Sequence, residues 1–284
     1  MTFTTGSPFS SSRPRATSTK RADRMVRILT LLNERESVSL REFEEELGIS
    51  AATVRRDLGD LEVQGLLTRT HGGAKAFTAA AELPVRLRNN QFRDAKMAIA
   101  RQVARLLPEG PLAIGISGGS TTAEVARILT NRSDLTIVTN SLTTATEIAS
   151  RQNVRVIMTG GIVRSSSFEL VGSLAENTFG AINVGVAILG TDGISAAAGA
   201  TTHDETEART NYAMVTHAQC VIVVADGSKI GKLTLAKVAD IGEINELVTD
   251  ESADREEIAR IEAAGVKVHI APLPRSAQAP RAMG

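Results

Sequence analysis

Cysteine is nearly missing: Cys220 is the only one in 284 residues, so neither an intrachain disulfide nor a cysteine-cluster metal site is open to this chain. Net charge is missing too, because 32 Lys and Arg balance 32 Asp and Glu. The chain as a whole therefore lacks the basic excess of many nucleic-acid binders, and any such reading must rest on local charge. Long apolar runs are absent: VGVAIL and CVIVVA are strand-length, far below the roughly 20 residues of a bilayer span. No glycine loop continues into Gly-Lys-Ser/Thr, and the Rossmann glycine spacing does not occur, which excludes a nucleotide P-loop and a dinucleotide fingerprint. These absences fit a soluble protein of a reducing cytoplasm, without cofactor or metal and without a membrane partner. What is present is ordinary globular material, 42% apolar and 23% charged, in a length that suits a small domain joined to a medium one.

Residues 1–20 are rich in Ser and Thr, carry Arg13 and Arg15 and hold no acid. They read as a disordered leader, with an organellar transit peptide as the alternative. The basic character runs on through Lys20, Arg21, Arg24 and Arg27, a local positive end that suits phosphates or only solvent. A first amphipathic helix then places Met25, Ile28, Leu29 and Leu32 on one face. Ser39 followed by Glu42 has the spacing of a capping box, Leu40, Phe43 and Leu47 form the stripe of a second helix, and Gly48 stops it. Ser50 is positioned to cap a third helix, in which Val54, Leu58 and Leu61 face inward.

The opposite face of that third helix carries Ala52, Arg55, Arg56, Gly59 and Val63. Small side chains, a pair of arginines and a cap hydroxyl suit entry into a major groove: arginines take phosphates or guanine edges, Ser50 and Thr53 hold the backbone, and Ala52 meets a thymine methyl. After it come LLTRT, His71-Gly72-Gly73 and AKAF. They read as a hairpin wing bearing Arg69, Thr70 and Lys75, and Ser39 and Arg41 complete the candidate DNA contacts. Residues 78–93, interrupted by Pro84, show no apolar period and read as a linker.

From residue 94 onward helical and strand-like segments alternate, the pattern of a mostly parallel sheet covered by helices. Polar, glycine-bearing loops recur where strands end: Ser117, Gly118, Gly119, Ser120, Thr121 and Thr122; Thr139, Asn140 and Ser141; Thr159, Gly160 and Gly161; Gly190, Thr191, Asp192 and Gly193; and Asp226, Gly227, Ser228 and Lys229. Strand C-terminal ends are where open α/β sheets bind ligands. The first loop, feeding a helix start, suits a phosphate or sugar phosphate, although a plain glycine turn before a helix cap explains it as well. Asp192, Glu205, Glu207, Asp226 and Lys229 also admit an alternative, a sugar-phosphate isomerase with a helical appendage.

The stretch 38–74, VSLREFEEELGISAATVRRDLGDLEVQGLLTRTHGGA, resembles the N-terminal signature of the DeoR family of bacterial regulators. GGSTT, TNSL, LVGSLAE, LGTDGI, TTHDETEA and ADGSKIG resemble its sensor domain, itself similar to ribose-5-phosphate isomerase. The resemblance implies an α/β chain with an N-terminal winged helix-turn-helix and a larger sensor domain. It also implies a recognition helix containing Ser50, Thr53, Arg55 and Arg56, a wing at 69–73, and a phosphorylated sugar or sugar-derived effector held by the strand-end loops, Glu207 among them. Two positions depart from the family pattern: Ile116-Ser117 replaces the aspartate ahead of the glycine loop, and Asn211-Tyr212 replaces a Lys-Arg pair. The expected organisation is a tail at 1–20, a DNA-binding domain at 21–77, a linker at 78–93, a sensor at 94–275 and a second disordered tail at 276–284. The expected function is repression of a sugar-catabolic operon by a cytoplasmic, nucleoid-associated homodimer or higher homo-oligomer bound to double-stranded operator DNA.

Overall fold

A computed structural model of the protein describes residues 19–76, 82, 84–88 and 91–273. The tails expected at 1–20 and 276–284 fall outside these residues, apart from Thr19 and Lys20. The chain divides into two units, Met1–Ala81 and Glu82–Gly284.

The first unit runs α1 (Thr19–Arg35), β1 (Ser37–Ser39), α2 (Leu40–Leu47), α3 (Ala51–Val63), β2 (Leu67–Thr70) and β3 (Gly73–Ala76). Met25, Ile28, Leu29, Leu32, Phe43, Val54, Leu58 and Leu61 are buried, as their helical spacing requires, and so is Leu67 at the start of β2. The Ser39 capping box forms, and Gly48 ends α2 in the left-handed region at φ 62. Ser50 differs from expectation. Its hydroxyl lies 3.1 Å from that of Thr53 instead of reaching a backbone amide, and Glu44 Oε1 accepts from the Ala51 N–H at 2.6 Å in its place. β1 is an addition the sequence did not announce; it pairs with β3 to give the antiparallel order β1-β3-β2. Gly73 permits this, because a Cβ there would overlap the Val38 carbonyl oxygen.

The second unit begins inside the segment read as a linker. α4 (Val85–Arg88) buries Val85 and Leu87, which are 1% and 5% exposed, and the Val85 amide donates to Ser166 O at 2.8 Å. A four-residue turn of alternating apolar and basic side chains gives no periodic signal; only the surface it packs on makes it ordered.

Next come α5 (Arg93–Leu106), β4 (Leu112–Ile116), α6 (Ser120–Leu129), β5 (Leu135–Thr139), α7 (Leu142–Ala149), β6 (Arg155–Met158), β7 (Ile162–Arg164), β8 (Glu169–Val171), α8 (Ser173–Gly180) and β9 (Val184–Gly190). The chain continues through β10 (Gly193–Ser195), β11 (Gly199–Thr202), α9 (Glu205–Val215), β12 (Ala218–Val224), β13 (Ala236–Ala239), β14 (Glu246–Asp250), α10 (Arg255–Ala263) and β15 (Lys267–Ala271). Seven strands form one parallel sheet in the order β15-β14-β12-β9-β4-β5-β6. Strand side chains alternate between faces, and two cores result. Val186 and Ile188 of β9 join Ile99, Val125 and Ile148 on one face, while Ala187 and Leu189 join Phe179, Met214 and Ile261 on the other. The β7–β8 hairpin and the antiparallel β10-β11-β13 sheet were not anticipated; strands of three or four residues carry too little pattern to read. No helix among the described residues is long and apolar enough to cross a membrane.

Candidate functional sites

In the first unit the charged residues sort into two sets. Asp57, inside α3 and fully buried, receives Arg21 Nε at 3.2 Å and Arg24 Nε at 2.5 Å, and Arg21 also pairs with Asp60. These two arginines, expected on the positive end, therefore fasten α1 to α3. Lys20 and Arg27 stay exposed. Arg55 and Arg56 are exposed as well, on the outer face of α3 with Ala52, and neither has an ion pair or hydrogen bond among the described residues.

The other expected DNA contacts divide likewise. The Ser39 hydroxyl accepts from the Glu42 amide, which is a capping role, and Arg41 is exposed but paired with Glu45 at 2.9 Å. Gly73 is buried against β1, so its contribution is the approach of two strands. Thr70, His71, Gly72 and Lys75 are exposed on the hairpin. The Gly72 carbonyl accepts from the Leu40 amide at 2.7 Å, tying the hairpin turn to the start of α2. Arg69 crosses toward α3: its Nη1 stands 3.9 Å from Glu62 Oε2 and 3.8 Å from where a Cβ on Gly59 would be. The wing base and the exposed face of α3 are thus brought side by side.

In the second unit the five polar loops follow β12, β9, β4, β5 and β6, which are consecutive in the sheet, and they do share its C-terminal edge. The chain reverses direction across the sheet between β4 and β9, the place where such sheets open a crevice. Ser117 sits there and accepts from the Gly190 amide at 3.0 Å. Several of the predicted side chains serve the loops themselves. Thr139 Oγ1 donates to Ile116 O at 2.6 Å, Ser141 caps α7 through the Thr144 amide, Thr122 donates to Gly119 O, and Asp226 accepts from the Ser228 amide. Gly161 and Gly193 are packing positions, where a Cβ would press on Val171 and Lys232; Gly160 is exposed. The helix after the glycine loop begins at Ser120, with Gly119 at φ 127 as its cap.

Most of the charge here was not foreseen. Lys229 stands 3.4 Å from Asp192 Oδ1, Arg88 donates to the same oxygen at 2.7 Å and to Glu82 at 3.2 Å, and Glu82 pairs onward with Arg164. Arg164 continues to Glu207 at 3.1 Å and Asp204 at 3.2 Å. One chain of alternating charges thus links the loop after β12 to the start of α9. Burial would push Asp192 upward, but Arg88 and Lys229 outweigh it and hold its carboxyl below the usual range. Burial likewise opposes the charge on Arg164, and its carboxylate partners more than restore it. Glu207 moves the other way: burial and the neighbouring Glu169 carboxylate raise it well above an ordinary glutamate. Its Oε1 is 2.6 Å from Thr202 Oγ1, which is 3.1 Å from Asp192 Oδ2. A hydroxyl has one proton to give, so Thr202 Oγ1 can donate to only one of these two carboxylates at a time, and it stands closer to Glu207.

Glu169 itself accepts from the Gly118 amide at 2.7 Å and from Asn211 Nδ2 at 3.3 Å, and Asn140 Nδ2 donates to Asn211 at 3.1 Å. The departure at Asn211 is therefore a hinge of this polar network. Lys96 of α5 is 2% exposed and gives its Nζ to the Arg88 carbonyl at 2.6 Å; burial pulls its pKa down to about 8. Arg88, Arg164, Glu82, Glu169 and Lys96 carried no motif, and only tertiary proximity marks them. No cluster of His, Cys, Asp and Glu able to hold a metal ion occurs among the described residues.

Two family models match the chain, "DeoR-like helix-turn-helix domain" over residues 24–80 and "DeoR C terminal sensor domain" over residues 91–251. The chain is 37% identical to the HTH-type transcriptional regulator GlpR of Haloferax volcanii, across 87% of this chain and 96% of that one. It is 32% identical to the glycerol-3-phosphate regulon repressor of Escherichia coli K12, across 81% and 91%. It is 31% identical to a putative aga operon transcriptional repressor of Escherichia coli O157:H7, across 87% and 93%. Among solved structures, ribose 5-phosphate isomerase A from Methanocaldococcus jannaschii aligns at 17% identity and TM-score 0.36, covering 50% of this chain and 55% of that one. The sorbitol operon regulator SorC of Klebsiella pneumoniae aligns at 15% and 0.32, covering 73% and 89%.

Proposed function

The chain belongs to the DeoR family of transcriptional regulators, and from that premise we propose that it represses a sugar-catabolic operon and releases its operator when a phosphorylated sugar or sugar-derived metabolite binds the sensor. The observation that carries the DNA half is the contrast between Arg21 and Arg24, each tied to buried Asp57, and Arg55 and Arg56, exposed without an acidic partner among the described residues. Unpaired arginines on the outer face of a short helix beside a basic hairpin are free to meet phosphates and guanine edges. Ala52, Thr53, Arg69, Thr70, His71 and Lys75 border the same surface. Ser39 and Gly73 support it from behind.

The effector half rests on the charged network at the sheet edge. Lys229 and the amides of the first turn of α6, at Ser120 and Thr121, suit a phosphate, while Asp192 suits sugar hydroxyls. Two relatives are named for a glycerol-3-phosphate regulon and an aga operon, which supports a phosphorylated carbohydrate derivative as the effector class. The protein is a regulator and not an isomerase: the three relatives described above are named regulators or repressors. Operators read as paired half-sites call for at least a homodimer acting at the nucleoid.

The test is an anisotropy titration of the chain's own upstream DNA at two salt concentrations, with and without glycerol 3-phosphate, ribose 5-phosphate and amino-sugar phosphates. Sequence-selective, salt-sensitive binding that one of these weakens is expected. Equal affinity for unrelated DNA overturns the operator reading, and indifference to every phosphate overturns the effector class.

A further inference from the structure

The ion pairs at the sheet edge end on the segment that enters the second unit. Residues 82–88 follow directly on the last residue of the first unit, Ala81. Glu82 takes Arg164 and Arg88 together, and Arg88 also holds Asp192. The rest of the anchoring is independent of these charges: Val85 and Leu87 are buried, the Val85 amide reaches Ser166 O, and Lys96 takes the Arg88 carbonyl. The described residues of this segment are therefore fastened twice, once by packing and backbone bonds and once by ion pairs to Arg164 and Asp192.

Arg88 is the junction. Its Nη1 and Nη2 are engaged by two carboxylates, while its Nε is buried and meets no acceptor among the described residues. A buried N–H left unpaired is costly, and a guanidinium edge is the geometry that takes a phosphate oxygen. Asp192 and Lys229 lie on the same chain of charges, so a phosphate arriving beside Lys229 would meet Arg88 already there.

We propose that Arg88 binds the phosphate of the effector, donating from Nε, and that this contact competes with Asp192 and Glu82 for the same guanidinium. The ionic fastening of residues 82–88 then differs between the free and liganded states, and the difference passes along the chain into the DNA-binding unit. An effector shifts such an equilibrium only by the difference in its affinity for the two states, and here that difference is the exchange of partners at Arg88. The inference rests on the effector class proposed above and adds to it a ligand residue and the route of the signal.

The test uses the full-length protein with operator DNA, ribose 5-phosphate and glycerol 3-phosphate as probes, and ribose and glycerol as uncharged controls. Glu82→Gln removes a fastening charge but no group assigned to the phosphate. With one competitor for Arg88 gone it is expected to bind the stabilising probe at least as tightly as the parent protein, while the probe-induced weakening of DNA binding, typically about 5- to 150-fold in such couplings, falls toward unity. Arg88→Lys keeps a cation for Asp192 but has no Nε donor, and Arg88→Gln removes the charge; both are expected to weaken probe binding by about tenfold or more. The melting temperature and the probe-free DNA affinity of each variant report on folding, and Arg88→Lys keeps the test open if Arg88→Gln does not fold. Probe binding unchanged in Arg88→Lys, or a full parental response in Glu82→Gln, overturns the proposal and leaves the effector class standing. Failure of these two phosphates and of the amino-sugar phosphates alike to stabilise the parent protein overturns the class, and this inference with it.

Discussion

The Gly118 amide donates to Glu169 Oε1 at 2.7 Å, and the side chain of Glu169 lies so close over Gly118 that no Cβ fits there. The glycine loop that leaves β4 thus already holds an anion, one supplied by β8.

Replacing Glu169 with Gln keeps the shape and removes the charge. A phosphate bound near this loop would lose a buried like-charge neighbour, so ribose 5-phosphate is expected to bind about threefold more tightly or better by calorimetry. Unchanged affinity would mean that the carboxylate only packs the loop.

Glu207 makes a pH prediction of definite sign. Its carboxyl is raised in the folded protein by burial and by Glu169, so between the ordinary glutamate value and the raised one the folded state binds more protons. Stability must fall as pH rises through that window. Asp192 and Asp204, both lowered, contribute the opposite slope at more acidic pH, stability being lost as pH falls. Glu207→Gln should flatten the alkaline side of the melting-temperature profile and leave the acidic side in place. A parental profile in the variant would contradict the assignment.

Asp57 and Arg56 should separate folding from DNA binding. Asp57→Asn leaves Arg21 and Arg24 without their buried partner and is expected to cost about 2–4 kcal/mol in denaturant melts, below the full value for a wholly buried pair because both arginines are partly exposed. Arg56→Ala removes no ion pair or hydrogen bond among the described residues; it should melt like the parent yet lose about 1–3 kcal/mol of DNA affinity if it reads a base. A loss spread evenly over all DNA sequences would assign Arg56 to a phosphate.

Gly73→Ala should disturb the hairpin without approaching DNA. The added methyl overlaps the Val38 carbonyl oxygen, so β1 and β3 must separate. A loss of about 2 kcal/mol or more is expected in chemical denaturation, with DNA affinity falling through the wing. A fully stable Gly73→Ala protein would refute this account of the buried glycine.

Local pattern settled most of the secondary structure here. A Ser-x-x-Glu box, a glycine stop and apolar residues at helical spacing define α2 and α3, and continuous apolar runs define the central strands, because each signal is complete within a dozen residues. The glycine-bearing loops could likewise be placed at strand ends, since alternation of strand and helix dictates a parallel sheet whose loops share an edge. Tertiary structure alone decided which of the charged residues do what. Arg21, Arg24, Arg55 and Arg56 look alike in sequence; Asp57, distant in the chain from the first two and adjacent to the last, takes two and leaves two. Arg88, Glu82 and Arg164 belong to no motif, and they form one network because α4 and the β7–β8 hairpin fold against the sheet edge. Periodicity encodes which face of an element is buried, whereas the pairing of charges depends on which elements meet, and that is settled only when the chain has closed on itself.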